Sequence, residues 1–151
     1  MNENFDERVR GRRLVIKGWA AQTLILSHAS VGAFLTHWLE FNIEGVCSGL
    51  PMITSPLFAE QFFNENFIVQ GLKIGVRIGI EVPVSWGEEE IVDTMVKKSR
   101  ITEAIEMCMV GGEEGEKRRN RAIELGKMAR DAMVEEGSSH SKHFRLNCDG
   151  E

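Results

Sequence analysis

Short apolar runs alternate with turn-rich polar stretches in the first half of the chain, and a helical period takes over in the second. Leu14-Val15-Ile16, closed by Gly18, has the length and continuity of a buried strand in an α/β sheet. Thr23 to His28 fits a short helix or turn, and Val31 to Thr36 is a second β-like run that delivers His37 at its exit. Asn42 to Ser48 is predicted to open a helix with Glu44 in its first turn, where the dipole favours a carboxylate, and Gly49 and Pro51 end it. Met52-Ile53-Thr54 reads as a third strand, after which Pro56 turns the chain into a helix from about Phe58 to Leu72. Strand, turn and helix alternating in this way predict an α/β fold built on a parallel sheet with crossover helices.

Gly71, Gly75 and Gly79 recur every fourth residue in GLKIGVRIG, the spacing of a membrane helix dimer. Lys73 and Arg77 interrupt the run and it is too short to span, so strand or loop geometry is expected. The segment EVPVSWGEEE is turn-rich, with Val84 and Trp86 packing on the surface of the domain. Ile101, Ala104, Ile105 and Cys108 share one helical face, which Gly111-Gly112 terminates. A second long helix is predicted over Glu113–Glu136, with Ala122, Leu125, Ala129, Ala132 and Met133 on one side. Its basic run, Lys117, Arg118, Arg119 and Arg121, is bracketed by Glu113, Glu114 and Glu116 and reads as a solvated face with i,i+4 pairing. Residues 1–13 form a polar lead-in, 14–136 the folded unit, and 137–151 a tail without apolar periodicity that is expected to be disordered.

Composition narrows the class. A chain of 151 residues holds one domain or a piece of one. The net charge of −5, from 23 acidic against 18 basic side chains, supplies no global field for nucleic acid or an anionic membrane. Cys47, Cys108 and Cys148 are odd in number and outside any CxxC pattern, which argues against a disulfide framework or zinc site and for a reducing, cytoplasmic setting. No apolar run approaches the ~18 residues of a membrane span.

The stretch Trp19 to Gln61 mixes His, Trp, acidic residues and glycines between its apolar runs. A nucleotide pocket at strand ends needs that mixture: glycines for close backbone approach, an aromatic face for a base, acceptors for hydroxyls. Singly, each residue has an ordinary reading. Trp19 would cap a core, His28 would bond nearby backbone, and Glu60 and Gln61 would start an exposed helix.

Taken in order, GWAAQ, LSHASVGAFLTH, EGVCSGLPMITSPLFAEQ, SWGEEE and EEGSSHS resemble the motifs of plant family 1 UDP-sugar glycosyltransferases, most closely those that glucosylate flavonoids and other small phenolics or terpenoids. The resemblance covers roughly residues 5 to 142. It implies a partial Rossmann-like carboxyl-terminal domain of a GT-B glycosyltransferase, with UDP-glucose as donor substrate, a small aglycone such as a flavonol as acceptor, and no cofactor or metal. By resemblance, Trp19 stacks on uracil and Ala20 offers main-chain bonds to the base; Gln22 reaches the ribose and Glu44 accepts from its hydroxyls. Glu60 and Gln61 grip the sugar, His37 donates to the diphosphate, and Asn42 belongs to the phosphate-binding helix start.

The sequence departs from the family at the centre of this stretch. Where the family reads Thr-His-Cys-Gly-Trp-Asn-Ser-Thr, a branched apolar residue, Glu and Gly, the chain reads Thr36-His37-Trp38-Leu39-Glu40-Phe41-Asn42-Ile43-Glu44-Gly45, one residue short. Leu39 replaces a glycine and Glu40 brings negative charge toward the diphosphate, while Ala21 stands for a proline. One codon string for Cys-Gly-Trp-Asn-Ser-Thr, read out of frame, gives Trp38 to Asn42, so the segment reads as a compensated frameshift, either in a decaying gene copy or in the sequencing. In the family the acceptor pocket, the catalytic His and the Asp that orients it lie in the amino-terminal domain, so none of His28, His37, His140 and His143 is assigned that role. The chain alone is expected to lack turnover. A weakly binding, non-catalytic remnant and a pseudogene product are the alternatives.

Overall fold

A computed structural model describes residues 7–36, 39–84, 96–134 and 137–138. In chain order the elements are α1 (Gln22–Leu26), β1 (Phe34–Thr36), α2 (Leu39–Ser48), β2 (Met52–Thr54), α3 (Ala59–Asn66) running into a π-turn (Phe67–Gly71), β3 (Gly75–Arg77), α4 (Lys98–Met109) and α5 (Gly112–Met133). The strands form one parallel sheet in the order β1-β2-β3, with Phe34 opposite Met52 and Met52 opposite Gly75. Helix α2 makes the first crossover and α3 with its π-turn the second, as the alternation of runs predicts.

Neighbouring residues of a strand face opposite ways, so β2 must be apolar on both sides. Met52 packs with Ile68, Ile74 and Ala122, with Phe34, Val46, Leu72 and Leu125 around them. Ile53 packs with Val76, Ala104 and Cys108 on the other face. Helices α2, α3 and α5 therefore cover one side of the sheet, and α4 covers β2 and β3 on the other. Leu35, on the same face as Ile53 but in β1, stays exposed.

Helix α5 is held where it is by backbone contact. Gly49 closes α2 with φ +74°, the left-handed conformation that ends a helix cheaply only as glycine. A Cβ on Gly126 of α5 would come within 2.7 Å of Gly49 Cα, 2.8 Å of Gly49 N and 3.0 Å of the Val46 carbonyl. Two glycines thus let α2 and α5 meet backbone to backbone. Arg130, one turn further along α5, donates from Nη1 to the Cys47 carbonyl at 2.6 Å and satisfies a free acceptor at the end of α2.

Several expectations change in detail. Leu14, Val15 and Ile16 form no strand and are 84%, 47% and 48% exposed. A strand needs a neighbour's backbone to pair with, and neither edge of the described sheet takes this run. Helix α2 begins at Leu39, so Asn42 lies a turn inside it and Glu44 in its second turn. The Leu39-Glu40-Phe41 sequence lacks the glycine that would delay a helix. In the basic run, Lys117 pairs with Glu113 and Glu114 as expected and Arg121 pairs with Glu124. Arg118 and Arg119 instead donate to the Met107 and Met109 carbonyls at 2.8 and 2.7 Å, capping the end of α4 across the Gly111 turn. The pattern identified the helices; it did not show that one would cap the other. Val84 is buried and its N–H bonds the Leu57 carbonyl at 2.8 Å. Trp86 and residues 139–151 of the expected tail lie outside the described residues.

An exposed helix glycine normally gains about 0.5–1 kcal/mol when changed to Ala. Gly126→Ala should do the reverse, losing about 1–3 kcal/mol through forced separation of α2 and α5, seen as a lower urea midpoint.

Candidate functional site

Of the residues singled out between Trp19 and Gln61, Trp19 and Ala20 lie on a connection, Gln22, Glu60 and Gln61 at helix starts, and Asn42 and Glu44 inside α2. Trp19 lies just after Gly18, whose φ is +87°, and its ring is 88% exposed. It caps no core. Ala20 and Gln22 are half-buried, and Gln22 opens α1, which packs against α2. Glu44 is half-buried on α2 itself. His37 lies outside the described residues, and Asn42 is placed only as part of the α2 backbone.

Glu60 and Gln61 lie in the first turn of α3, directly beyond the carboxyl end of β2, where ligands of open parallel sheets bind. Glu60 is exposed in that turn. Gln61 is buried, and its Oε1 accepts the Leu57 N–H at 2.6 Å and the Phe58 N–H at 3.3 Å. This is one half of a capping box, because Phe58 has no side-chain acceptor to complete it. The two backbone donors also fix which end of the amide is which. Oxygen must face Leu57 and Phe58, leaving Gln61 Nε2 as a donor only.

Three buried side-chain atoms have no hydrogen-bond partner among the described residues: Gln22 Nε2, Glu44 Oε2 and Gln61 Nε2. Each belongs to a residue singled out from the sequence. A buried polar atom left unpaired costs about 1–3 kcal/mol, so folded chains keep few of them. They are two amide donors and one carboxylate acceptor, group types that pair with hydroxyls, which both donate and accept.

A network that the sequence reading missed lies under Gln61. Thr54, at the end of β2, donates from Oγ1 to Glu65 Oε2 at 2.6 Å and touches the Val76 carbonyl at 3.3 Å. Arg77, at the end of β3, donates from Nε to Glu65 Oε1 at 3.1 Å and also bonds Asn66. Burial raises the Glu65 carboxyl above its ordinary value, while the Thr54 hydroxyl and the Arg77 charge act the other way. The available signal was spacing: Glu65 is four residues after Gln61 on the same helix face. Two clefts of about 660 and 680 Å³ lie elsewhere, one between α3, β3 and α4 and one between the π-turn and α5. Neither is lined by any residue of Trp19–Gln61. Among the described residues no group of three His, Cys, Asp or Glu side chains is placed to hold a metal ion, and no helix is long and apolar enough to cross a membrane. Cys108 is fully buried and burial pushes its thiol up, which marks it as core.

Comparison with known proteins gives one consistent family. The model described as UDP-glucoronosyl and UDP-glucosyl transferase matches residues 6–104. UDP-glycosyltransferase 73C4 of Solanum lycopersicum is 56% identical over 142 residues, covering 93% of this chain and 41% of the relative. UDP-glycosyltransferase 73E1 of Stevia rebaudiana is 54% identical over 140 residues, covering 91% and 28%. Among solved structures, Glycyrrhiza uralensis UGT73P12, complexed with glycyrrhetinic acid 3-O-monoglucuronide, superposes with a TM-score of 0.87 at 40% identity, covering 97% of this chain and 30% of that one. Phytolacca americana UGT2, complexed with UDP-2fluoro-glucose and pterostilbene, superposes with a TM-score of 0.78 at 32% identity, covering 97% and 31%. The chain thus spans well under half the length of the relatives it matches.

Two measurements check the local chemistry. Gln61→Ala should cost about 1–3 kcal/mol in urea denaturation by orphaning the Leu57 and Phe58 N–H groups, and Gln61→Glu should cost less because a carboxylate accepts both. Glu65 binds its proton more tightly folded than unfolded, so its contribution to stability falls as pH rises from 4.5 through the folded midpoint. Glu65→Gln should therefore be less destabilising at pH 7 than near 4.5, and carboxyl NMR of Glu65 should titrate above 4.5.

Proposed function

Because the chain belongs to the UDP-glucoronosyl and UDP-glucosyl transferase family and carries part of its GT-B architecture, we propose that Trp19 to Gln61 forms the donor side of a UDP-sugar site. In this reading Trp19 offers a free ring to the uracil, Ala20 its main chain to the base edge, and Gln22 and Glu44 the ribose contacts. Glu60 and Gln61 hold the sugar, while His37 and Asn42 belong to the diphosphate side. The folded unit is 14–136, with 1–13 as lead-in and 137–151 as tail. The observation that carries the reading is the trio of unpaired buried atoms on Gln22, Glu44 and Gln61. A ligand with ribose and hexose hydroxyls would complete all three.

The parent reaction is inverting transfer of glucose from UDP-glucose to a hydroxyl of a small aglycone such as a flavonol, in the cytoplasm. A general base activates the acceptor while donor-domain groups stabilise the leaving diphosphate. The 151 residues alone supply donor contacts without turnover, since by resemblance the base and acceptor pocket belong to the amino-terminal domain. The altered segment favours a second reading, weak nucleotide binding without catalysis. Glu40 sits in the first turn of α2, where its charge opposes a diphosphate. Two lost charge-assisted bonds, at ~1.5–3 kcal/mol each, weaken donor binding by roughly 10²-fold or more.

Titration of the chain with UDP, followed by tryptophan fluorescence and thermal melting, tests this reading. Binding should disappear in Trp19→Ala and tighten roughly 10²-fold when Trp38–Asn42 is replaced by Cys-Gly-Trp-Asn-Ser-Thr. No binding by either folded form would overturn the donor-site reading.

A further inference from the structure

Resting on the donor-site reading, we propose that Glu65 is a positioning residue for the sugar contact: with Thr54 and Arg77 it fixes the rotation of α3 and so aims Gln61 Nε2. The loop from β2 to α3 is closed twice. At its base, Thr54 is bonded to Glu65 at 2.6 Å, and Arg77 holds the other Glu65 oxygen at 3.1 Å. At its top, Gln61 Oε1 holds the N–H groups of Leu57 and Phe58 at 2.6 and 3.3 Å. One turn of α3 separates the two closures, because Gln61 and Glu65 stand at i and i+4.

The consequence is a rigid ring of strand end, loop and helix start. Both closures rely on groups with no freedom to reassign. The Gln61 amide cannot flip without presenting NH₂ to two backbone donors, and Glu65 has each oxygen engaged by a different strand. Leu57 is also held from outside, its carbonyl accepting the Val84 N–H at 2.8 Å. If the base of the ring opens, α3 is free to turn about its axis, and the turn moves Gln61 away from the backbone donors that orient it. The sugar contact depends on this alignment, whereas the base and ribose contacts of Trp19 and Glu44 are on other segments. The clamp therefore acts on the hexose end of the donor and leaves the nucleotide end alone.

A ligand-free measurement decides first. In Glu65→Gln, and in Arg77→Met where the altered side chain is partly exposed and folding is not threatened, amide exchange at Leu57 and Phe58 should quicken about tenfold, with Met52 in the sheet unchanged. Arg77→Lys, which keeps the charge, should restore part of the protection. In the chain carrying the Cys-Gly-Trp-Asn-Ser-Thr loop, each clamp variant and Gln61→Ala should weaken UDP-glucose about tenfold and leave UDP unchanged, and Glu65→Gln should add nothing to Gln61→Ala. Unchanged exchange at Leu57 and Phe58, or equal loss of UDP and UDP-glucose, overturns the clamp. A loop-restored chain that binds no UDP overturns the donor-site reading instead, and the exchange rates still judge the ring.

Discussion

Everything in this small fold hangs on the close approach of α5 to α2. Gly126 against Gly49 brings two backbones together with no side chain between them, and Ala122 then reaches the Met52 layer of the core. From this seat α5 sends arginines to the carbonyl ends of both neighbouring helices, Arg130 to α2 and Arg118 and Arg119 to α4. A helix end left bare in a partly buried setting is costly, and here one helix supplies the caps for two others. The position of α2 sets Glu44, and α1, which Gln22 opens, packs on α2. The helix that carries Glu44, one of the proposed donor contacts, thus takes its position from a helix that carries none of them.

The hydrophobic pattern was enough for the sheet and its crossovers because strands buried on both faces, such as Met52-Ile53-Thr54, must be continuous apolar runs. It failed for Leu14-Val15-Ile16, which satisfies the same rule yet pairs with nothing described. Apolar content says that a run can be buried; a ladder depends on which backbone lies beside it, and local sequence does not hold that information. The arginine caps were invisible for a related reason. Arg118 and Arg119 look like solvated cations until the Gly111 turn folds α5 back beside the end of α4.

Site residues were legible in a different way, through ordered motifs whose spacing restricts the alternatives. The motifs singled out Gln22, Glu44 and Gln61, and the structure leaves one buried polar atom unpaired on each of them. Spacing did not show which atom each residue has to spare. Gln61 reads as an amide able to donate or accept, and only the Leu57 and Phe58 N–H groups reduce it to a donor. Thr54, Glu65 and Arg77 carry no motif signal, because bonding one another needs only complementary groups within reach.

The altered segment shows how folding and binding separate in such a design. A glycine at a phosphate-binding turn is costly to structure and valuable to the ligand, since it lets backbone N–H groups approach an anion. Leu39, Glu40 and Phe41 stand where, by resemblance, the family motif has its glycine, and α2 spans Leu39–Ser48. The same change carries Asn42 into the helix and brings a carboxylate into its first turn. Each step favours the isolated helix, and in the proposed donor site each would work against a diphosphate. Val46 and the Gly49 closure, which tie α2 to Met52 and to α5, lie at the opposite end of the helix. A chain of this kind keeps α2 in place by contacts at one end of the helix, while the proposed diphosphate contact lies at the other.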